Sequence, residues 1–218
     1  VTEAKGTSAS QVLRVFIAGE GRNELGRRSG SPAYQGERSD PGVIEALLRK
    51  VRPTGWEVSA AVDWKELRKF KARTGGRGDG ANVAKAHLRA REHGCDVIAF
   101  VRDRDGVRFE PRESDIEAAI AELASAGAGP RVIGGVAIEK LESWLVALAG
   151  VSRSEALRRP EEHLAKQGID GKDTAAMVAH VDEHGIHAVP EDAASLRRWL
   201  DRARAVLGAD DVTSPPAP

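Results

Sequence analysis

The sequence predicts an α/β protein, with a mostly parallel sheet flanked by helices and a small C-terminal helical extension, and three observations carry that prediction. Residues 12–18 (VLRVFIA), 96–101 (DVIAFV) and 131–137 (RVIGGVA) are apolar at successive positions and too short for helices, as strands buried on both faces require. Segments of helical periodicity separate them, the alternation from which crossover helices build a parallel sheet. The chain has 218 residues, 41% of them hydrophobic, which suits one enlarged domain able to bury about 70–75% of its unfolded surface.

Taken in order, residues 1–10 are small and polar and are expected to be a disordered lead. Residues 11–150 form the α/β domain, beginning with the run that ends at Gly19. Residues 26–42 are rich in Gly, Ser, Pro and Arg and read as a long loop. From 43 to 52 one helical face carries Val43, Ile44, Leu47, Leu48 and Val51, and Pro53 to Gly55 ends it. Residues 56–62 are strand-like, followed by a helix to about Phe70, a glycine-rich loop at 74–80 and a helix over 81–93 that Gly94 stops. After the second buried strand comes a helix over 114–125, with Ser114 as N-cap and Glu117 closing a capping box. The third strand leads into a helix striped with Ile138, Leu141, Leu145 and Leu148. Residues 151–208 are the helical extension, with helices near 174–183 and 193–207, and 209–218 is a disordered tail.

Lys plus Arg and Asp plus Glu both number 33, which excludes a uniformly basic nucleic-acid coat. The balance is local rather than uniform. Residues 65–91 hold nine basic against two acidic side chains, so Lys65, Arg68, Lys69, Lys71, Arg73 and Arg77 are candidate contacts to a polyanion, the alternative being a solvated helix face. Residues 161–211 hold eleven acidic against six basic and suit support or a partner surface. The single cysteine, Cys95, can form no internal disulfide, no run approaches a membrane span, and residues 1–10 lack a signal peptide's apolar stretch. The expected location is the cytoplasm.

In parallel sheets ligands bind beyond the carboxyl ends of the strands, and here all three buried runs lead into acid: Glu20 and Glu24, Asp103 and Asp105, Glu139 and Glu142. Crowded carboxylates raise one another's pKa unless a cation neutralises them, and an all-oxygen set suits Mg2+ or Mn2+, against the plainer reading of solvated loop acids. Other signals are weak. Neither a P-loop nor a dinucleotide fingerprint is present, and GGRGDG is more simply a flexible connector than a phosphate cradle. The RGD at 77–79 reads as chance. His180 and His184 stand at helical spacing but read as surface residues rather than zinc ligands, Cys95 as inert packing, and Trp144 and Trp199 as core. Trp56 or Trp64, beside the basic run, could stack a base.

The acidic constellation, VFIAGEGRNE (15–24) and VIAFVRDRDG (97–106) followed by AIEKLESWLVAL (137–148), resembles the Toprim family, the metal-dependent catalytic domain of topoisomerases, bacterial primases and OLD-type nucleases. The third element looks like the downstream acidic segment of small Toprim-like proteins found among bacterial defence genes, and the resemblance spans about residues 12–150. It implies a Mg2+- or Mn2+-dependent nuclease, with Glu20 as general base or ligand, Glu24 a nearby ligand, Asp103 and Asp105 holding the ion, and Glu139 and Glu142 completing or adding a second position. Lys140 would stabilise charge on the phosphate. Physically, phosphodiester cleavage needs an activated oxygen nucleophile and cations at the transition state. Implied partners are DNA or RNA, a separately encoded ATPase and a second copy of the chain, with no membrane. The sequence departs from the family in its Arg-rich insertion at 26–42 and in lacking an ATPase domain. Two other readings stay open: a haloacid-dehalogenase-like phosphatase with Asp103 as nucleophile and Asp105 as acid, and a non-catalytic Toprim-like scaffold that binds nucleic acid or a partner.

Overall fold

Successive apolar residues make β1 (Leu13–Gly19), β5 (Val97–Asp103) and β6 (Arg131–Ala137) strands that bury both faces, and β4 (Trp56–Asp63) joins them in one four-stranded sheet. A computed structural model of the chain describes residues 12–28, 38–71, 78–106 and 110–208. The strand order is β4-β1-β5-β6 and every pairing is parallel. Gly19 is paired with Asp63 and Asp103 with Ala137, so all four carboxyl ends stand on one rim. The chain leaves β1 for β4 on one side and returns to β5 on the other, which puts the topological switch point, the usual ligand crevice of such sheets, between β1 and β5.

Strand alternation sorts the core into two layers. Val15, Ile17, Val97, Ala99, Val101 and Ile133 face α2 (Val43–Val51), α6 (Leu141–Leu148), α8 (Thr174–Glu183) and α9 (Ala194–Leu207). Phe16, Ala18, Ile98 and Phe100 face α3 (Trp64–Lys69), α4 (Gly78–Glu92) and α5 (Glu110–Ala126). The C-terminal helices therefore complete the core of the sheet: Trp199 is buried and its Nε1 donates to Phe100 O at 3.0 Å. Gly134 permits the close strand contact beside it, since a Cβ there would meet the Phe100 ring at 2.2 Å. Among the described residues the remaining elements are α1 (Arg22–Leu25), the short strands β2 (Arg27–Arg28) and β3 (Arg38–Asp40), α7 (Pro160–Lys166) and two single 3-10 turns.

Several expectations need correction. Residues 26–42 are not loop throughout, because β2 and β3 form a small antiparallel ladder. Helix α4 starts at Gly78, so the end of the expected glycine-rich loop is its first turn. Helix α5 starts at Glu110; Ser114 is inside it and donates its hydroxyl to Pro111 O (2.9 Å) instead of capping. Pro111 suits that first turn, where its missing N–H has no intrahelical acceptor. Helix α6 starts at Leu141, after Ile138. His180 is buried rather than at the surface, with Nε2 2.9 Å from Leu145 O. Trp64 is buried too and is in no position to stack a base. Trp144, Trp199 and Cys95 are buried as expected. The lead, the tail, Arg73 and Arg77 lie outside the described residues. No described helix is long and apolar enough to cross a membrane.

Candidate functional site

The rim at the switch point carries the acidic residues singled out in the sequence, and the fold places them by short-range means. Glu20 directly follows β1. Gly19 lets the chain turn back sharply, because a Cβ there would lie 2.5 Å from the Glu24 Cβ, and the turn of α1 brings Glu24 over the strand end, where its Oε2 accepts from Gly21 N at 2.9 Å. Asp103 ends β5 and its Oδ1 accepts from Leu141 N at 2.8 Å, which binds it to the start of α6 and hence close to Glu142. Asp105 and Glu139 have left-handed backbones, φ 60° and 66°, cross-linked by the Asp105 N to Glu139 O bond of 3.1 Å. For a non-glycine residue that conformation costs on the order of 1–2 kcal/mol, and such strain gathers at functional sites.

Three arginines divide the acids into two sets. Arg102, almost wholly buried at the next-to-last position of β5, is ion-paired with Glu20 and stands 3.5 Å from Asp79 and 3.9 Å from Asp105. Arg112 contacts Asp79 at 2.6 Å and Asp105 at 2.8 Å. Arg104 pairs with Glu139 at 2.7 Å. Burial, then the neighbouring Arg112, holds the Arg102 guanidinium down at about 10. Glu20, Asp105 and Glu139 are thus already neutralised by side chains.

Glu24, Asp103 and Glu142 are different. None of them forms an ion pair among the described residues. The Asp103 carboxyl is pushed up to about 8, first by burial and then by the charges of Glu24 and Glu142. Burial likewise raises Glu24, with Glu142 and Asp63 adding to it, and raises Glu142, with Glu161 adding. Lys140, at the N-cap of α6, reaches Glu161 at 3.2 Å. Burial alone would lower its ammonium, but the bond to Glu161 and the charges of Glu161, Glu142 and Asp103 outweigh it and the net direction is up. The donors are hard oxygens whose ionisation burial and mutual repulsion oppose, the chemistry a divalent cation relieves. As placed, no three Asp, Glu, His or Cys side chains among the described residues are grouped to hold one ion. The structure brings Glu20 and Asp103 into direct contact, through Asp103 N donating to Glu20 Oε1 at 3.1 Å, but keeps Asp105 and Glu139 on their arginines.

Of the candidate basic contacts, Lys65, Arg68, Lys69 and Lys71 are exposed on or just after α3, which leaves the rim at Asp63; Lys69 is paired with Glu66 at 2.6 Å. Sequence reasoning passed over Arg102, Arg112, Asp79 and Asn23. An arginine inside an apolar strand, one residue before the key aspartate, was the available signal for Arg102. Asp79, read within a chance RGD, accepts from Trp64 Nε1 and Asn82 Nδ2, both at 3.2 Å, and anchors both arginines. The chain matches no family model, no curated protein and no solved structure.

Proposed function

We propose that the protein is a Mg2+- or Mn2+-dependent nuclease of Toprim-like design. The observation that carries the reading is the set Glu24, Asp103 and Glu142: three partly or wholly buried carboxyls, without an ion pair among the described residues, at the switch-point crevice of a parallel sheet. These three would hold the cation, with Glu20 close enough to Asp103 to exchange its arginine for the ion. A bound divalent cation supplies an activated water and neutralises charge on the phosphate. The chain's own part is to keep Asp103 oriented through Leu141 N–H, to present Lys140 to the phosphate, and to hold Glu20 in register through Arg102. The exposed basic residues of α3 beside the rim suit a passing phosphodiester backbone. Asp105 is engaged by Arg112, which counts against the phosphatase reading, where it would be the acid.

The test pairs Mn2+ calorimetry with cleavage of DNA and RNA. The wild type should bind Mn2+ and cut; Asp103→Asn and Glu24→Gln should each lose at least tenfold in Mn2+ affinity and all cleavage. A wild type that takes up no Mn2+ at millimolar concentration refutes the proposal, as does hydrolysis of p-nitrophenyl phosphate that survives Glu20→Gln.

A further inference from the structure

Beside the acidic rim lies a cavity of about 610 Å3, walled by the start of α6, by α7 and by residues 168–172, within the range that holds a small organic ligand. Asn23 ties the last of these walls to α1, donating through Nδ2 to Gly171 O at 2.7 Å and accepting from Thr174 Oγ1 at 2.9 Å. Glu142 faces that wall closely, since a Cβ on Gly171 would stand 3.4 Å from its Oε1. The lining is acidic: Glu142, Glu161, Glu162 and Asp170 stand against Lys140 and Lys172. Lys140 reaches one oxygen of Glu161 at 3.2 Å, and Arg159, outside the lining, reaches Glu162 at 2.6 Å in a pair that solvent screens. Glu142 and Asp170 form no ion pair among the described residues. The other oxygen of Glu161, Oε2, is closed off from solvent and has no hydrogen-bond donor among the described residues. Ala165 and Ile169 supply an apolar face.

We propose that this cavity binds a small aliphatic diamine, an organic dication whose two ammonium groups are joined by a hydrocarbon chain. The surplus of carboxylates repels an anion and attracts a cation. Two of those carboxylates lack a partner, so a ligand with two ammonium groups serves both, where a single amine leaves one of them bare. An ammonium group carries three N–H donors and needs only acceptors around it, not a set of ligands grouped on one ion. Charge-assisted bonds of this kind are about twice as strong as neutral ones. The hydrocarbon chain lies over Ala165 and Ile169, as the stems of lysine side chains lie on apolar surface while their heads stay with polar groups. Lys172 is the one lining cation without an ion pair among the described residues, and it opposes the ligand. The assignment stands apart from the nuclease reading, because no metal takes part in it.

The test is calorimetric titration of the whole chain with 1,5-diaminopentane, in EDTA and about 0.1 M KCl, where attraction between exposed charges is largely screened. The wild type should bind it, and n-pentylamine, with the same chain and one charge, at least tenfold more weakly. Ala165→Trp, a change at an exposed position of α7, fills the cavity and should cost at least tenfold in affinity. Asp170→Asn should cost as much, although Asn keeps the acceptor that Lys172 N–H uses at 2.9 Å. Lys172→Glu should act in the opposite direction and tighten the diamine at least threefold. Absence of binding by the wild type at millimolar diamine overturns the proposal, as does unchanged affinity in the folded Ala165→Trp variant. Equal affinity for n-pentylamine, or a Lys172→Glu variant that fails to tighten, overturns it as well. With EDTA present throughout, each of these results bears on the cavity alone and leaves Mn2+ binding to its own titration.

Discussion

Replacing Asp103 by Asn in the metal-free protein should make it more stable, and only above a defined pH. In the unfolded chain this carboxyl ionises near its ordinary 3.8, whereas in the folded protein burial, Glu24 and Glu142 hold the proton on until about pH 8. Between those values the native state binds more protons than the unfolded one, so stability falls as pH rises, by up to about 1.4 kcal/mol per pH unit for a single group. Across the whole window that is several kcal/mol. Because Glu24 and Glu142 compete for the same proton, the share that one substitution removes is about 2 kcal/mol. Asn offers the same Oδ1 to Leu141 N–H, 2.8 Å away in the wild type, and cannot ionise. The two proteins should match near pH 4, and at pH 8 the variant should melt about 4–8 °C higher, at the roughly 2–4 °C per kcal/mol expected for a chain of this size. Circular-dichroism melts from pH 4 to 8.5 in EDTA measure it. Parallel wild-type and variant curves would show that Asp103 is ionised throughout and refute the electrostatic account of the site.

Arg102→Leu should cost about 3 kcal/mol in urea unfolding, because Glu20 and Asp79 lose a cation that is itself almost wholly buried. Gly134→Ala should cost about 1–3 kcal/mol or more, since its methyl would overlap the Phe100 ring; an unchanged melting temperature would mean that the strands part freely there. Burial holds the His180 imidazole below its ordinary value, so the unfolded chain takes up a proton that the native one refuses as pH drops below about 6.5. The His180 contribution to stability should therefore fall from pH 6.5 to 5, opposing the gain that Asp103 gives on acidification, and His180→Gln should steepen that gain in the same melts.

The buried strands were legible because both-face burial writes itself as an apolar run, and 131–137 is matched at both ends by β6. The acidic rim was legible for a related reason: parallel strands bring their carboxyl ends together wherever the sheet order lies. What sequence could not show is which acids would be neutralised. Glu20, Asp105 and Glu139 meet arginines that are 82, 7 and 35 residues away along the chain, and the pairings come from tertiary placement rather than spacing. The left-handed turns at Asp105 and Glu139 have no glycine to announce them. Helix starts at Gly78 and Glu110 were missed because glycine and proline signal a break equally well from inside a first turn.

The docking of α9 on the sheet sets the order in which the molecule can come into being. Trp199 closes on the carbonyl of Phe100, Arg52 reaches Leu207 O, and Asn23 is tied to Gly171 and Thr174. During synthesis, at about 5–20 residues per second, β6 waits about 4–14 seconds for the helix that covers it. A chain halted before residue 199 lacks the indole that closes on β5 and leaves the α9 side of β6 uncovered. The sheet is thus assembled as strands before its last face is closed, and the C-terminal helix is the element on which burial of the β6 edge depends.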